Sequence, residues 1–215
     1  MSVLPHLARD TIVSYEAGAL SGGWALAVAC HLAMCPQCRI EAQAARALGG
    51  VMVEDLGAAD VDEDALARVL EAAVRGGPEL RTPFEAAPGP IPGPLQPYVG
   101  AAIDAMAWRR LGLTAQQVWI ETGDRSTRAR LLRVRAGQAM PVHGHGGAEM
   151  TLALVGSVHT SDGVLRPGDI EEADETTVHQ PVAGPESECI CLAVTGAPLR
   201  FKSRLMRIAQ PFLRV

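Results

Sequence analysis

Residues 137–156 read GQAMPVHGHGGAEMTLALVG, with fixed positions Gly137-x5-His143-x-His145-x3-Glu149-x6-Gly156. In an extended chain His143 and His145 leave the same side of one strand. The Gly146-Gly147 pair turns the chain, and Glu149 returns on the neighbouring strand, so three metal-ligating side chains converge inside a β structure. His179 follows Gly168 by eleven residues and can complete a His3Glu set. His159, in the turn His159-Thr160-Ser161-Asp162-Gly163, is expected at the surface. Around this segment the apolar period is two: Val118-Trp119-Ile120, Ala129 to Val134, Met150 to Leu154, Gly163-Val164-Leu165, Asp169-Ile170-Glu171 and Cys189 to Val194 all read as strands. An all-β barrel or sandwich of roughly one hundred residues follows. Cys189 and Cys191 alternate on its last strand and so share a face. About 6.6 Å between their α-carbons is near the upper limit for a bridge, so two free thiols with a packing role are expected.

Upstream the composition breaks sharply. Seven prolines and four glycines fall among the 22 residues from Gly76 to Pro97. Proline removes backbone donors and the glycines prevent a stiff rod, which marks an extended linker and two domains. The division is residues 1–77, a linker over 78–97, a β domain over 98–198 and a C-terminal segment over 199–215. Before the linker the pattern is helical. Asp10 can cap a helix running toward Gly18, Ser21 begins a second through His31, and Pro36 suits the first position of a third that runs to Gly49-Gly50. A fourth, over 61–75, is amphipathic, with Val61, Ala65, Leu66, Val69, Leu70 and Ala73 on one face. The loop from Val51 to Asp60 is a hinge that lets this helix lie on its neighbours or on a partner.

Within the helical part, His31-x3-Cys35-x2-Cys38 puts three ligands together: residues four apart stack on one helix face, and Cys38 turns back at the next helix start. Two thiolates with imidazoles suit zinc, whose closed structural sites take four ligands. His6 is the fourth, since Cys30 points about 100° away from His31 on the helix. A thioredoxin-like redox pair lacks the preceding strand it needs.

Charge and composition exclude several functions. Of the net charge of -5, all sits in residues 1–77, with ten acids and five bases, while residues 78–215 hold fourteen of each. An acidic module repels phosphate backbones and attracts basic protein surfaces, so a protein partner is favoured over direct nucleic-acid binding. Eight aromatics leave little for stacking bases. The longest apolar stretch, Trp24 to Met34, is broken by His31 and falls short of the roughly 18–20 residues of a membrane span. Residues Met1 to Asp10 lack the basic and apolar regions of a secretory signal, and five unevenly spaced cysteines argue for reduced thiols, so the cytoplasm is the expected compartment.

The stretch 137–156 resembles the first cupin motif at every fixed position. The second cupin motif, Gly-x5-Pro-x-Gly-x2-His-x3-Asn, is matched at Gly168 and His179, whereas Asp174, Thr176 and Ala183 replace its proline, glycine and asparagine. Those departures tell against an enzymatic cupin, whose second motif helps shape a substrate pocket. An acidic helical module with His6, His31, Cys35 and Cys38, joined by a Pro-rich linker to a His143, His145, Glu149, His179 cupin, resembles the ChrR-type zinc anti-sigma factors. The resemblance implies an α+β protein in two domains. The first is a small all-α zinc-binding domain that clamps an extracytoplasmic-function sigma factor; the second is an all-β cupin-like barrel that binds a second zinc. It further implies release of the sigma factor under oxidative stress, especially singlet oxygen, and no catalytic turnover. The rival is a metal-dependent dioxygenase or isomerase, with iron or manganese at the His3Glu set.

Overall fold

The computed structural model of the chain describes residues 6–75, 89–100 and 102–201. Four helices open it: α1 (Arg9–Glu16), α2 (Gly22–Met34), α3 (Pro36–Glu54) and α4 (Ala65–Val74). A short α5 (Gln96–Val99) precedes the strands. Among the described residues no helix is long and apolar enough to cross a membrane. The third helix was expected to stop at Gly49-Gly50 but continues to Glu54, because neither glycine takes a positive φ and the ladder closes through Asp55 N to Val51 O at 3.1 Å. The fourth is the amphipathic segment, and none of its side chains is buried.

Twelve strands follow: β1 (Arg109–Leu111), β2 (Ala115–Ile120), β3 (Arg128–Val134), β4 (His143–His145), β5 (Glu149–Val155), β6 (Val158–His159), β7 (Val164–Leu165), β8 (Ile170–Ala173), β9 (Val178–His179), β10 (Val182–Ala183), β11 (Cys189–Thr195) and β12 (Leu199–Phe201). They form a six-stranded sheet in the order β1-β2-β3-β11-β5-β8 and two three-stranded sheets, β10-β6-β7 and β12-β4-β9. All pairs are antiparallel. The expected barrel is therefore not closed. Strands β4, β6, β7, β9 and β10 are only two or three residues long, and the ladder ends at each turn between them. β12 extends the β domain past the expected limit at residue 198 and pairs with β4.

The large sheet is apolar on both faces, which is why Cys189–Thr195 is buried along its whole length. On its inner face Leu132, Val134, Ala153, Cys191 and Ala193 meet Val158, Leu165, Ala183, Leu199 and Phe201 of the small sheets. On its outer face Leu131, Leu152, Ile190, Leu192 and Val194 share one core with Leu26, Val28, Cys30 and Leu32 of α2. A helix that is apolar all round must be covered all round, and α2 is covered by the other helices and by the sheet. Each such large side chain contributes about 1.5–3 kcal/mol on burial. Gly23 permits the contact, since a β-carbon there would collide with the Thr127 side chain.

Of the expected linker, residues 78–88 lie outside the described residues. Its remainder is packed: Ile91 and Leu95 are 1% and 0% exposed in that same core. Of the C-terminal segment, residues 202–215 lie outside the described residues.

Candidate metal centres

All eight residues singled out by spacing fall into two groups of four, each with its ligand atoms within 4.8 Å of one another: His6, His31, Cys35 and Cys38, and His143, His145, Glu149 and His179. Three segments build the first group. His31 lies in the last turn of α2, Cys35 ends that helix, and the Cys35 sulfur caps α3 by accepting the Cys38 amide at 3.5 Å. Pro36 then fits the first helical position, which needs no amide donor. His6 reaches in from the arm before α1, with Nδ1 at 3.4 Å from the Cys35 sulfur and 3.7 Å from that of Cys38. Cys30 is buried but stands outside the group.

The His31 ring is oriented from outside the helices. Its Nδ1–H donates to the Gly168 carbonyl at 2.8 Å, which leaves Nε2 buried with no hydrogen-bond partner. Burial pulls the His31 pKa down to about 4 and pushes the Cys38 thiol up to about 12. A buried set of neutral donors around an orphaned imidazole nitrogen is what a thiophilic cation satisfies.

The second group sits where β4, β5 and β9 meet. His143 and His145 alternate with Gly144 on β4, and the register pairs His143 with His179. The His143 Nδ1–H donates to the Pro141 carbonyl at 2.8 Å, so its unprotonated Nε2 faces His179 Nε2 at 3.2 Å. Both ring nitrogens of His145 are buried without a hydrogen-bond partner, although Nδ1 lies 3.2 Å from Glu149 Oε2. Burial would push the Glu149 carboxyl up, but His145, His143 and Arg130 outweigh it and leave the carboxyl below its ordinary value. Gly156, which closes the motif, has φ of 68° and a β-carbon there would strike the Glu188 carbonyl.

Arg130 and Glu171 were not anticipated. Arg130 is buried on the inner face with Nη1 3.4 Å from Gln117 Oε1, and it lines a cavity of about 60 Å³ with His143, Glu149, Cys189 and Cys191. Its place was readable from parity, because it stands two and four residues before the inward Leu132 and Val134 on the same face of β3. Glu171 stands with Oε2 3.7 Å from His179 Nδ1; burial and the nearby Glu149 and Asp162 push its carboxyl up to about 7. Cys189 and Cys191 are free and buried. His159 is half-buried, with Nε2 3.2 Å from the Ser157 hydroxyl, and belongs to neither group.

The ChrR cupin-like domain family matches residues 97–198. The chain is 40% identical to the anti-sigma-E factor ChrR of Cereibacter sphaeroides over 217 residues, which cover all of both proteins. Among solved structures, it resembles a chain in the crystal structure of Rhodobacter sphaeroides SigE in complex with the anti-sigma ChrR. That match has a TM-score of 0.75 and 38% identity, and covers 88% of this chain and 97% of that one.

Proposed function

The chain belongs to the ChrR family of anti-sigma factors, and from that premise we propose that it binds an extracytoplasmic-function sigma factor in the cytoplasm, holds it inactive, and lets it go under oxidative stress. Singlet oxygen is the signal that the resemblance implies. The observation that carries this reading is the uncovered apolar face of the helical part. On α4, Leu66, Val69 and Val74 are 69%, 65% and 86% exposed, and Leu48, Met52 and Val53 of α3 are exposed as well. Exposed apolar helix faces of this kind mark a protein interface. The acidic balance of residues 1–77 selects a partner with basic surface.

In this reading zinc occupies both groups. At the first it would be held by two thiolates and two imidazoles, and would tie the His6 arm, α2 and α3 together. At the second, three imidazoles and one carboxylate fill four coordination positions. A catalytic metal must keep one open, and a cavity of about 60 Å³ is far below the roughly 300–1,000 Å³ of ordinary small-molecule pockets. The second site thus serves sensing, with domains meeting in the shared core of α2 and the large sheet.

Co-expression with a cognate sigma factor tests the proposal. A stoichiometric complex should copurify, and Leu66→Asp with Leu70→Asp on α4 should weaken it at least tenfold while both metals stay bound. A chain that retains full affinity after both changes would move the interface elsewhere; one that binds no sigma factor and turns over a small molecule would restore the enzyme.

A further inference from the structure

Helix α1 lacks a side-chain cap of its own, because its N-cap is Ala8. The other domain supplies an acceptor at this helix end. Glu172 on β8 takes the Ala8 amide on Oε2 at 2.7 Å and the Thr11 hydroxyl on Oε1 at 2.6 Å. A carboxylate is favoured there by the helix dipole as well. His6 lies two residues before Ala8, so this clamp fixes the arm that carries it. A second contact comes from the turn leading into β8, where the Gly168 carbonyl accepts the His31 Nδ1–H at 2.8 Å. The turn before β8 thus aims His31 directly, and β8 itself holds the segment two residues beyond His6.

The same strand reaches the second group. Side chains alternate along β8. Ile170 joins the core shared with the helices, and Glu172 lies on that side. Glu171 points the opposite way: its Oε2 stands 3.7 Å from His179 Nδ1, longer than a hydrogen bond, and that nitrogen is buried with no hydrogen-bond partner. One four-residue strand therefore reaches the segment that carries His6 and stands beside His179, through adjacent carboxylates on opposite faces.

We propose that β8 is the joint through which the two metal centres are coupled: Glu172 fixes the arm that carries His6, the Gly168 carbonyl orients His31, Glu171 is the carboxylate that stands beside the second nitrogen of His179, and loading of either centre tightens the other. The inference rests on the reading that both groups hold metal. The partner of a ligating histidine's second nitrogen sets its orientation and commonly changes metal affinity by about 10–100-fold. Coupling of binding equilibria is reciprocal, so metal at the His3Glu group must strengthen the thiolate group as much as the reverse.

Cobalt(II) added to the full chain separates the two centres, since thiolate-to-cobalt charge-transfer absorption arises only where sulfur ligates. The rate at which a chelator removes that band is the measurement. Glu172→Ala should speed removal by about 3–10-fold, and Glu172→Gln, which keeps one acceptor oxygen, should fall between it and the unaltered chain. Glu171→Gln leaves all eight ligands in place and should also speed removal. The Glu171→Gln, Glu172→Ala double variant should be no faster than the quicker single, because both act through one strand. Rates within twofold of the unaltered chain for both single variants would overturn the coupling, and so would effects that multiply in the double. Absence of the band in the unaltered chain would instead overturn the metal reading, and this inference with it.

Discussion

Cys35 ends α2, caps α3 through its sulfur and joins the first metal group. Serine is an equally good helix cap, so Cys35→Ser isolates the ligand role. Metal binding in small zinc modules contributes about 10–16 kcal/mol of folding free energy, more than the remaining contacts among α1, α2 and α3 can replace. The variant should therefore bind one zinc instead of two and lose inhibition of sigma-dependent transcription, which metal analysis and a reporter would read; full inhibition by a folded chain carrying a single zinc would contradict this. Asp124 supports the other side of α2. It accepts the Ser126 amide and hydroxyl and the Thr127 hydroxyl, and those bonds pull its carboxyl down to about 2. A carboxyl lowered in the folded state adds stability above its unfolded pKa near 3.8 and loses it as pH falls toward the folded value. The stability gap between the unaltered chain and Asp124→Ala should stay constant from pH 7 to about 5 and close as pH approaches 2. A tryptophan-fluorescence series of denaturant melts would show it, and a gap that persists at pH 2 would contradict it.

At the scale of elements, the sequence pattern showed what periodicity and spacing can show. Four helices, the long strands β2, β3, β5 and β11, and six of the eight grouped residues were visible because each follows from local geometry, while His6 was reached by elimination and His179 by its spacing from Gly168. β10 and β12 were not visible: they are two or three residues long, and pairing with distant strands defines them. Nor was the role of α2, whose all-round apolarity reads equally as a core helix of any small domain. Glu171 and Glu172 read as one polar pair, and their opposite duties depend on partners in other segments: Ala8 and Thr11 for Glu172, and His179, set beside β4 by sheet pairing, for Glu171. The packing of α2 on the large sheet gives its own test. Gly23→Val inserts a branched side chain where the Thr127 side chain already stands, and overpacking of this kind typically costs about 1–3 kcal/mol. Chemical denaturation should show a loss in that range, with Gly22 unchanged and the helical content retained; an unaltered midpoint would mean that the helix and sheet do not pack this closely.

For the whole molecule, two facts compete. The linker composition argues for separable domains, yet Ile91, Leu95 and the sheet-facing side of α2 lie in one core with the outer face of the large sheet. Separation should thus leave function and stability affected differently. The proposed sigma-binding surface on α3 and α4 makes no use of the sheet, so a fragment of residues 1–77 should still inhibit sigma-dependent transcription, and should ignore the oxidative signal because the second metal group is gone. Its α2, however, would expose Leu26, Val28 and Leu32 to water. At about 25 cal/mol per Å² of apolar surface, uncovering three large aliphatic side chains costs several kcal/mol, which an isolated fragment relieves by associating with itself or with its partner. Sedimentation should therefore show the free fragment as a self-associating species that becomes a one-to-one complex when the sigma factor is added. A monomeric fragment that melts as high as the full chain would mean that the shared core adds no stability, and a fragment that no longer inhibits would mean that the β domain takes part in holding the sigma factor.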